Sequence, residues 1–177
     1  MPLNDVMNEY RSKLKLIRDI SIKPEIKAKK IKKALRKYCS EEKLESEEVL
    51  MLVDNTLLRS AKQGMIITSE MLYSFSEISG KFSIRLNDIN SVSPQVRKVL
   101  GNAQLGIVVN DKFFISLPGM TENSNFIRDY IEWEGVFFRQ ELTPAIVYFS
   151  IFLHKILDCK LVLEKESDPG KPPWYNN

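Results

Sequence analysis

Between Glu47 and Gln140 the chain runs through a succession of short apolar segments, each a few residues long and bounded by glycine, proline or polar residues, before one amphipathic helix closes the stretch. Segments of that length are too short for helices and the right length for strands. Met65-Ile66-Ile67-Thr68 follows Gly64, where a turn or a close backbone approach costs little, and Glu70 to Phe75 comes two or three polar residues later. Gly80 then opens Lys81-Phe82-Ser83-Ile84-Arg85-Leu86, a strict alternation that predicts one buried and one wet face. Asp88 to Val92 reads as a further short strand, which Pro94 ends because proline cannot donate to a ladder. Gly106 to Val109 and Lys112 to Leu117 flank Asn110-Asp111, a two-residue hairpin connection, and Pro118-Gly119 stops the sheet. These make six strands, or seven if Val49 to Val53 pairs as well.

Helices are expected on both sides of this sheet. Val6, Tyr10, Leu14 and Ile17 recur at helical spacing, and so, less regularly, do Ile26, Ile31, Leu35 and Tyr38. With Pro24 suited to a first turn, they predict a helical hairpin over 4–20 and 24–38. Phe126, Ile127, Tyr130, Ile131, Trp133, Val136 and Phe137 form the apolar face of a helix capped by Asn123 or Ser124. Thr143-Pro144 starts another, apolar nearly all round to about Asp158 and so expected to be buried; Leu161-Val162-Leu163 adds a strand or extends that packing. The fold class is therefore α+β. Residues 1–44 form a basic helical hairpin, 45–140 a sheet with a capping helix, 141–163 a buried C-terminal helix on the same core, and 164–177 a tail. At 177 residues and 44% hydrophobic, the chain can bury one good core.

Charge is distributed unevenly. Residues 11–43 hold thirteen Lys or Arg against four acids, a net +9, which leaves −6 for the rest of a chain of net +3. Such a segment is either the solvated face of two helices or a surface for an anionic partner. No apolar leader precedes it, and the longest apolar run, Ala145 to Leu153, falls far short of the roughly 20 residues a membrane span needs. Two distant cysteines, Cys39 and Cys159, fit a reduced cytoplasmic protein with ordinary thiols.

The chemistry-bearing residues do not form a catalytic set. His154 is the single histidine, and it has no nucleophile near it in sequence. One histidine and two isolated cysteines supply zinc poorly, and the seven glycines make no phosphate loop. Asp54 and Asp88 stand where aspartate commonly fixes a turn. No cofactor or metal is expected, and the chain reads as non-enzymatic.

The series Glu48-Val49-Leu50, Asp54-Asn55-Thr56, Ala61-Lys62-Gln63-Gly64, Ile67-Thr68 and Leu72-Tyr73, continuing into Phe82-Ser83-Ile84 and Leu86-Asn87-Asp88-Ile89, resembles the bacterial pleckstrin-homology-like domains over about residues 47–140. The resemblance implies a strongly bent antiparallel, barrel-like sheet capped by a helix, which residues 123–138 would supply. It also implies a binding platform, usually for proteins and sometimes for lipid head groups.

Three kinds of partner follow. In the first, the sheet and its aromatic residues recognise a protein through the strand edge around Lys112, Phe114 and Ser116, as an immunity-type protein would hold a toxin. In the second, the basic helix with Lys27, Lys29, Lys30, Lys32, Lys33, Arg36 and Lys37 contacts nucleic-acid phosphates, chiefly through Lys29, Lys30, Lys33, Arg36 and Lys37, without Asn or Gln on the helix to read bases. In the third, the same helix lies on anionic lipid, although it lacks the Trp or Phe of an interfacial helix. Protein binding ranks first.

Overall fold

A computed structural model describes residues 3–15, 17, 19–39, 44–45, 48–56, 60–77, 79–99, 102–117 and 144–161. In chain order the elements are α1 (Leu3–Leu14), β1 (Ile20–Ile22), α2 (Ala28–Tyr38), β2 (Met51–Asp54), β3 (Gly64–Ile67), β4 (Met71–Ser76) and β5 (Gly80–Arg85). A 3-10 turn (Leu86–Asp88) leads into β6 (Ser91–Val99), β7 (Asn102–Val109), β8 (Phe113–Ser116), α3 (Pro144–Leu157) and β9 (Lys160–Leu161). The architecture is α+β. The strands form two sheets where the sequence suggested one, in the orders β1-β2-β3-β4-β5 and β8-β7-β6-β9. All pairings are antiparallel except the short β6–β9 contact.

The expected helical hairpin is not formed. Helix α1 stops at Leu14, and Ile20–Ile22, expected to close the first helix and open the link to the second, is β1, paired with Met51–Val53 of β2. Ile20 and Ile22 are both buried, so the isoleucines satisfy a period of two as well as they would a helical one. The helices then separate. Met7 and Leu14 of α1 join the main core, where Tyr10 packs on Tyr148 and Phe152 of α3 at ring distances of 5.8 and 5.7 Å. Ile31, Ala34 and Tyr38 of α2 join a second cluster with Leu52, Ile66 and Tyr73.

Those two clusters use alternate residues of the same strands. Met51, Val53, Met65, Ile67 and Leu72 face the main core, while Leu52, Ile66 and Tyr73 face α2. The expected one-wet-face sheet is therefore corrected: β2 and β3 are buried on both faces because α2 covers the second one. Only β5, at the sheet edge beyond α2, keeps the wet face that its alternation predicts, with Lys81, Ser83 and Arg85 exposed. Each large apolar side chain so buried contributes roughly 1.5–3 kcal/mol.

Pro94 does not end a strand but sits within β6, opposite Ile107. The Asn110 amide donates to the Ser91 carbonyl at 2.9 Å, which sets the ladder's parity. By that parity Ser93 and Gln95 face β7 as hydrogen-bonded pairs, and Pro94 falls on the alternate positions, where that ladder needs no N–H. The hairpin at Asn110-Asp111 forms as the sequence indicates. Both residues have φ of 53°, as a type I′ turn requires, and the Lys112 amide donates to the Val109 carbonyl. Asn110 also accepts from the Asn90 and Ser91 amides and donates to the Asp88 carbonyl, tying the hairpin to the 3-10 turn.

Helix α3 begins at Pro144 and is buried from Ala145 through Leu153, as its all-round apolar sequence indicates. Cys39 and Cys159 are both buried free thiols. Burial is the main cause that pushes the Cys159 thiol up, to about 11. The helix expected over 123–138, its aromatic face and the tail lie outside the described residues.

Candidate polyanion interface

Helix α2 carries no acidic residue, and six of its eleven residues are Lys or Arg. Intrinsic helix energetics do not favour that arrangement. Lys29 and Lys30 stand in the first turn, where the helix dipole disfavours cations, and Lys29/Lys33, Lys32/Arg36 and Lys33/Lys37 are like-charge pairs at i, i+4. Each such pair costs about 0.2–0.5 kcal/mol. Arg36 and Lys37, in the last turn, are the ones the dipole favours.

Packing sorts these cations into two groups. The apolar side of α2 faces the sheet, and Lys30 and Lys37 share one flank. The Lys30 ammonium donates to Asp54 Oδ2 at 2.7 Å, in an ion pair whose side chains are 25% and 3% exposed. The Lys37 ammonium sits 4.8 Å above the Phe75 ring, which stacks in turn on Tyr38. Lys29, Lys32, Lys33 and Arg36 occupy the side away from the sheet, are exposed, and have no ion-pair partner among the described residues.

Asp54 is the centre of the anchoring. Its Oδ1 accepts from the Thr56 amide and hydroxyl and from the Ala61 amide, at 3.2, 2.6 and 3.0 Å. Burial alone would push this carboxyl up; Lys30, Thr56 and Ala61 together outweigh it and hold the group below the usual carboxylate range. Burial, with Asp54 nearby, pushes the Tyr38 phenol well above its ordinary value. The turn-fixing role expected of Asp54 is what its contacts show.

The sequence-derived residues thus divide. Lys29, Lys33 and Arg36 are brought together on one face, joined by Lys32. Lys30 is committed to Asp54 and leaves that set. Lys37 is exposed yet held over Phe75. In the remainder of the basic segment, Arg11 and Lys15 both bond Glu25, at 3.0 and 2.6 Å. The Lys15 bond is the main cause that draws the Glu25 carboxyl below its ordinary value. A shallow groove of about 280 Å³ beside them is lined by Met7, Asn8, Arg11, Ile22, Lys23, Pro24 and Leu50.

The second candidate surface, the β8 edge, is less open than its sequence suggests. Strand β8 is at the edge of its sheet, and Lys112 is exposed, with its ammonium 5.1 Å above Phe113. Ser116, however, is buried. Its hydroxyl donates to Gln104 at 2.8 Å, and its carbonyl accepts from the Asn55 side chain at 3.0 Å. Phe114 is half-buried under Arg97, 5.2 Å from the ring, and Phe113 stacks on Phe82 at 4.4 Å. Ser116 is therefore not on an exposed edge, because the Asn55 side chain, just past β2, covers its carbonyl.

His154 donates from Nδ1 to the Cys159 carbonyl, which closes the end of α3. No group of three His, Cys, Asp or Glu residues able to hold a metal occurs among the described residues, and none of the described helices is long and apolar enough to cross a membrane. No protein-family model, curated protein or solved structure matches the chain.

Proposed function

We propose that this chain is a non-enzymatic binding module that holds an acidic macromolecule on the outward face of α2. The observation that carries the reading is Lys29, Lys32, Lys33 and Arg36 standing exposed, side by side, without an acid anywhere on the helix. A face that served only for solvation would be better stabilised by interleaved glutamates. Its flank cations are fixed by Asp54 and Phe75, so the face is presented by a docked helix and little ordering is needed on binding.

A pleckstrin-homology-like architecture is part of the proposal. The antiparallel runs β2–β5 and β6–β8, followed by α3, support it. The protein-edge alternative has less support, since Ser116 is covered and Phe113 and Phe114 are engaged. A toxin with an acidic surface, held on α2, would make the chain an immunity protein.

The test compares the wild type with Lys29→Glu/Lys33→Glu/Arg36→Glu on immobilised heparin, with thermal melts of both. The reading expects the variant to melt as the wild type does and to elute at markedly lower salt. Unchanged elution would remove α2 as the binding face. Lys30 must stay as it is, because a carboxylate beside Asp54 would unseat the helix.

A further inference from the structure

The direction of α2 across the sheet joins its basic face to a second one. Asp54, Gly64, Phe75 and Lys81 are successive cross-strand partners, so they form one row across β2, β3, β4 and β5. Lys30 reaches the Asp54 end of that row and Lys37 the Phe75 position. Two strand spacings are about 9.6 Å, and seven residues of helix rise about 10.5 Å. Helix α2 therefore crosses the strands, with its C-terminal end directed at β5.

Strand β5 is where α2's cover stops. Phe82 and Ile84 face the main core, so Lys81, Ser83 and Arg85 point to the α2 side, and all three are exposed. Lys81 lies directly opposite Phe75 and Arg85 opposite Met71. The result is a step: an upper tier of Lys29, Lys32, Lys33 and Arg36, and a lower tier of Lys81 and Arg85 about one helix diameter (~10 Å) below.

We infer that this step holds the backbone of a single-stranded nucleic acid without reading its bases; the inference rests on α2 being the binding face. The upper tier offers no apolar or aromatic side chain, and protein interfaces depend on such anchors and are poor in Lys. Affinity must come from charge, as in phosphate binding. A flat bilayer resting on α2 would leave Lys81 and Arg85 about 10 Å away, whereas a flexible strand can follow the step from one tier to the other. Among the described residues, the side chains directed into it include no Asn or Gln, so the contacts position a backbone and carry no sequence information.

The experiment measures fluorescence anisotropy of a labelled oligo-dT of roughly 15 nucleotides, over a salt series, with the full chain. It uses the wild type, Lys29→Glu/Lys33→Glu and Lys81→Gln/Arg85→Gln, each checked by thermal melt. Phosphatidylserine vesicles and polyglutamate serve as the other polyanions. The inference expects oligo-dT binding that weakens steeply with salt, at least about tenfold loss for the α2 variant, and about three- to tenfold loss for the β5 variant. Removing two phosphate contacts should also flatten the salt slope by about 1.4. A wild-type affinity that the β5 substitutions leave unchanged overturns the two-tier site and leaves the α2 face standing. Vesicles or polyglutamate binding through α2 without oligo-dT binding overturns the nucleic-acid assignment alone. No effect of the α2 substitutions on any probe overturns both.

Discussion

Asp54 shows how one side chain fixes a site 24 residues away in sequence. Four donors converge on it, three from its own loop and one from α2. Asp54→Asn removes the charge that Lys30 faces and should cost about 3 kcal/mol in urea denaturation at neutral pH. The folded carboxyl titrates below its ordinary value, so its contribution is present above the unfolded carboxylate pKa and is lost as pH falls through the lowered folded one. The wild type should therefore lose more stability than the variant between pH 6 and 2, narrowing the gap; a constant gap would contradict the pairing. Gly64 is a second fixed point. Its φ is +135°, and a Cβ there would lie 2.0 Å from the Val53 carbonyl oxygen, so Gly64→Ala should cost about 3 kcal/mol or more by the same assay. Both positions were legible: glycine before a strand and aspartate after one are local signals. The Lys30 partnership was not, because nothing local separates Lys30 from Lys29 or Lys33.

At the scale of elements, the difference between reading and structure lies in which faces are covered. The alternation of β5 describes that strand correctly and its neighbours wrongly. Met51-Leu52-Val53 and Met65-Ile66-Ile67 are continuous apolar runs, the pattern of strands buried on both sides, and only the placement of α2 explains them. Ile66→Ala, beneath α2, and Ile67→Ala, in the main core, should each cost about 2–4 kcal/mol. A near-neutral Ile66→Ala would mean that α2 is not packed there. The β1 strand escaped detection because three residues, Ile20-Ser21-Ile22, fit the end of a helix and the start of a strand equally, and long-range pairing with β2 decides between them.

For the whole molecule, two sheets enclose a core that α1 and α3 share, while α2 lies on the opposite face of the first sheet. The +9 of residues 11–43 is consequently divided among separate places. Arg11 and Lys15 meet Glu25, Lys30 meets Asp54, and the outward cations of α2 stand together in solvent. Sequence showed that the charge was concentrated, and it named most of the residues on the exposed face. It did not single out Lys81 and Arg85 of β5, because their places opposite Phe75 and Met71 depend on strand order and register.

Lysine footprinting tests the α2 face most directly: exposed amines are acetylated briefly with and without heparin, and each lysine's modification is read by mass spectrometry. The account predicts strong protection of Lys29, Lys32 and Lys33, with Lys112 and Lys155, both exposed elsewhere, modified equally in the two samples. Protection spread evenly over all exposed lysines, or centred on Lys112, would contradict it.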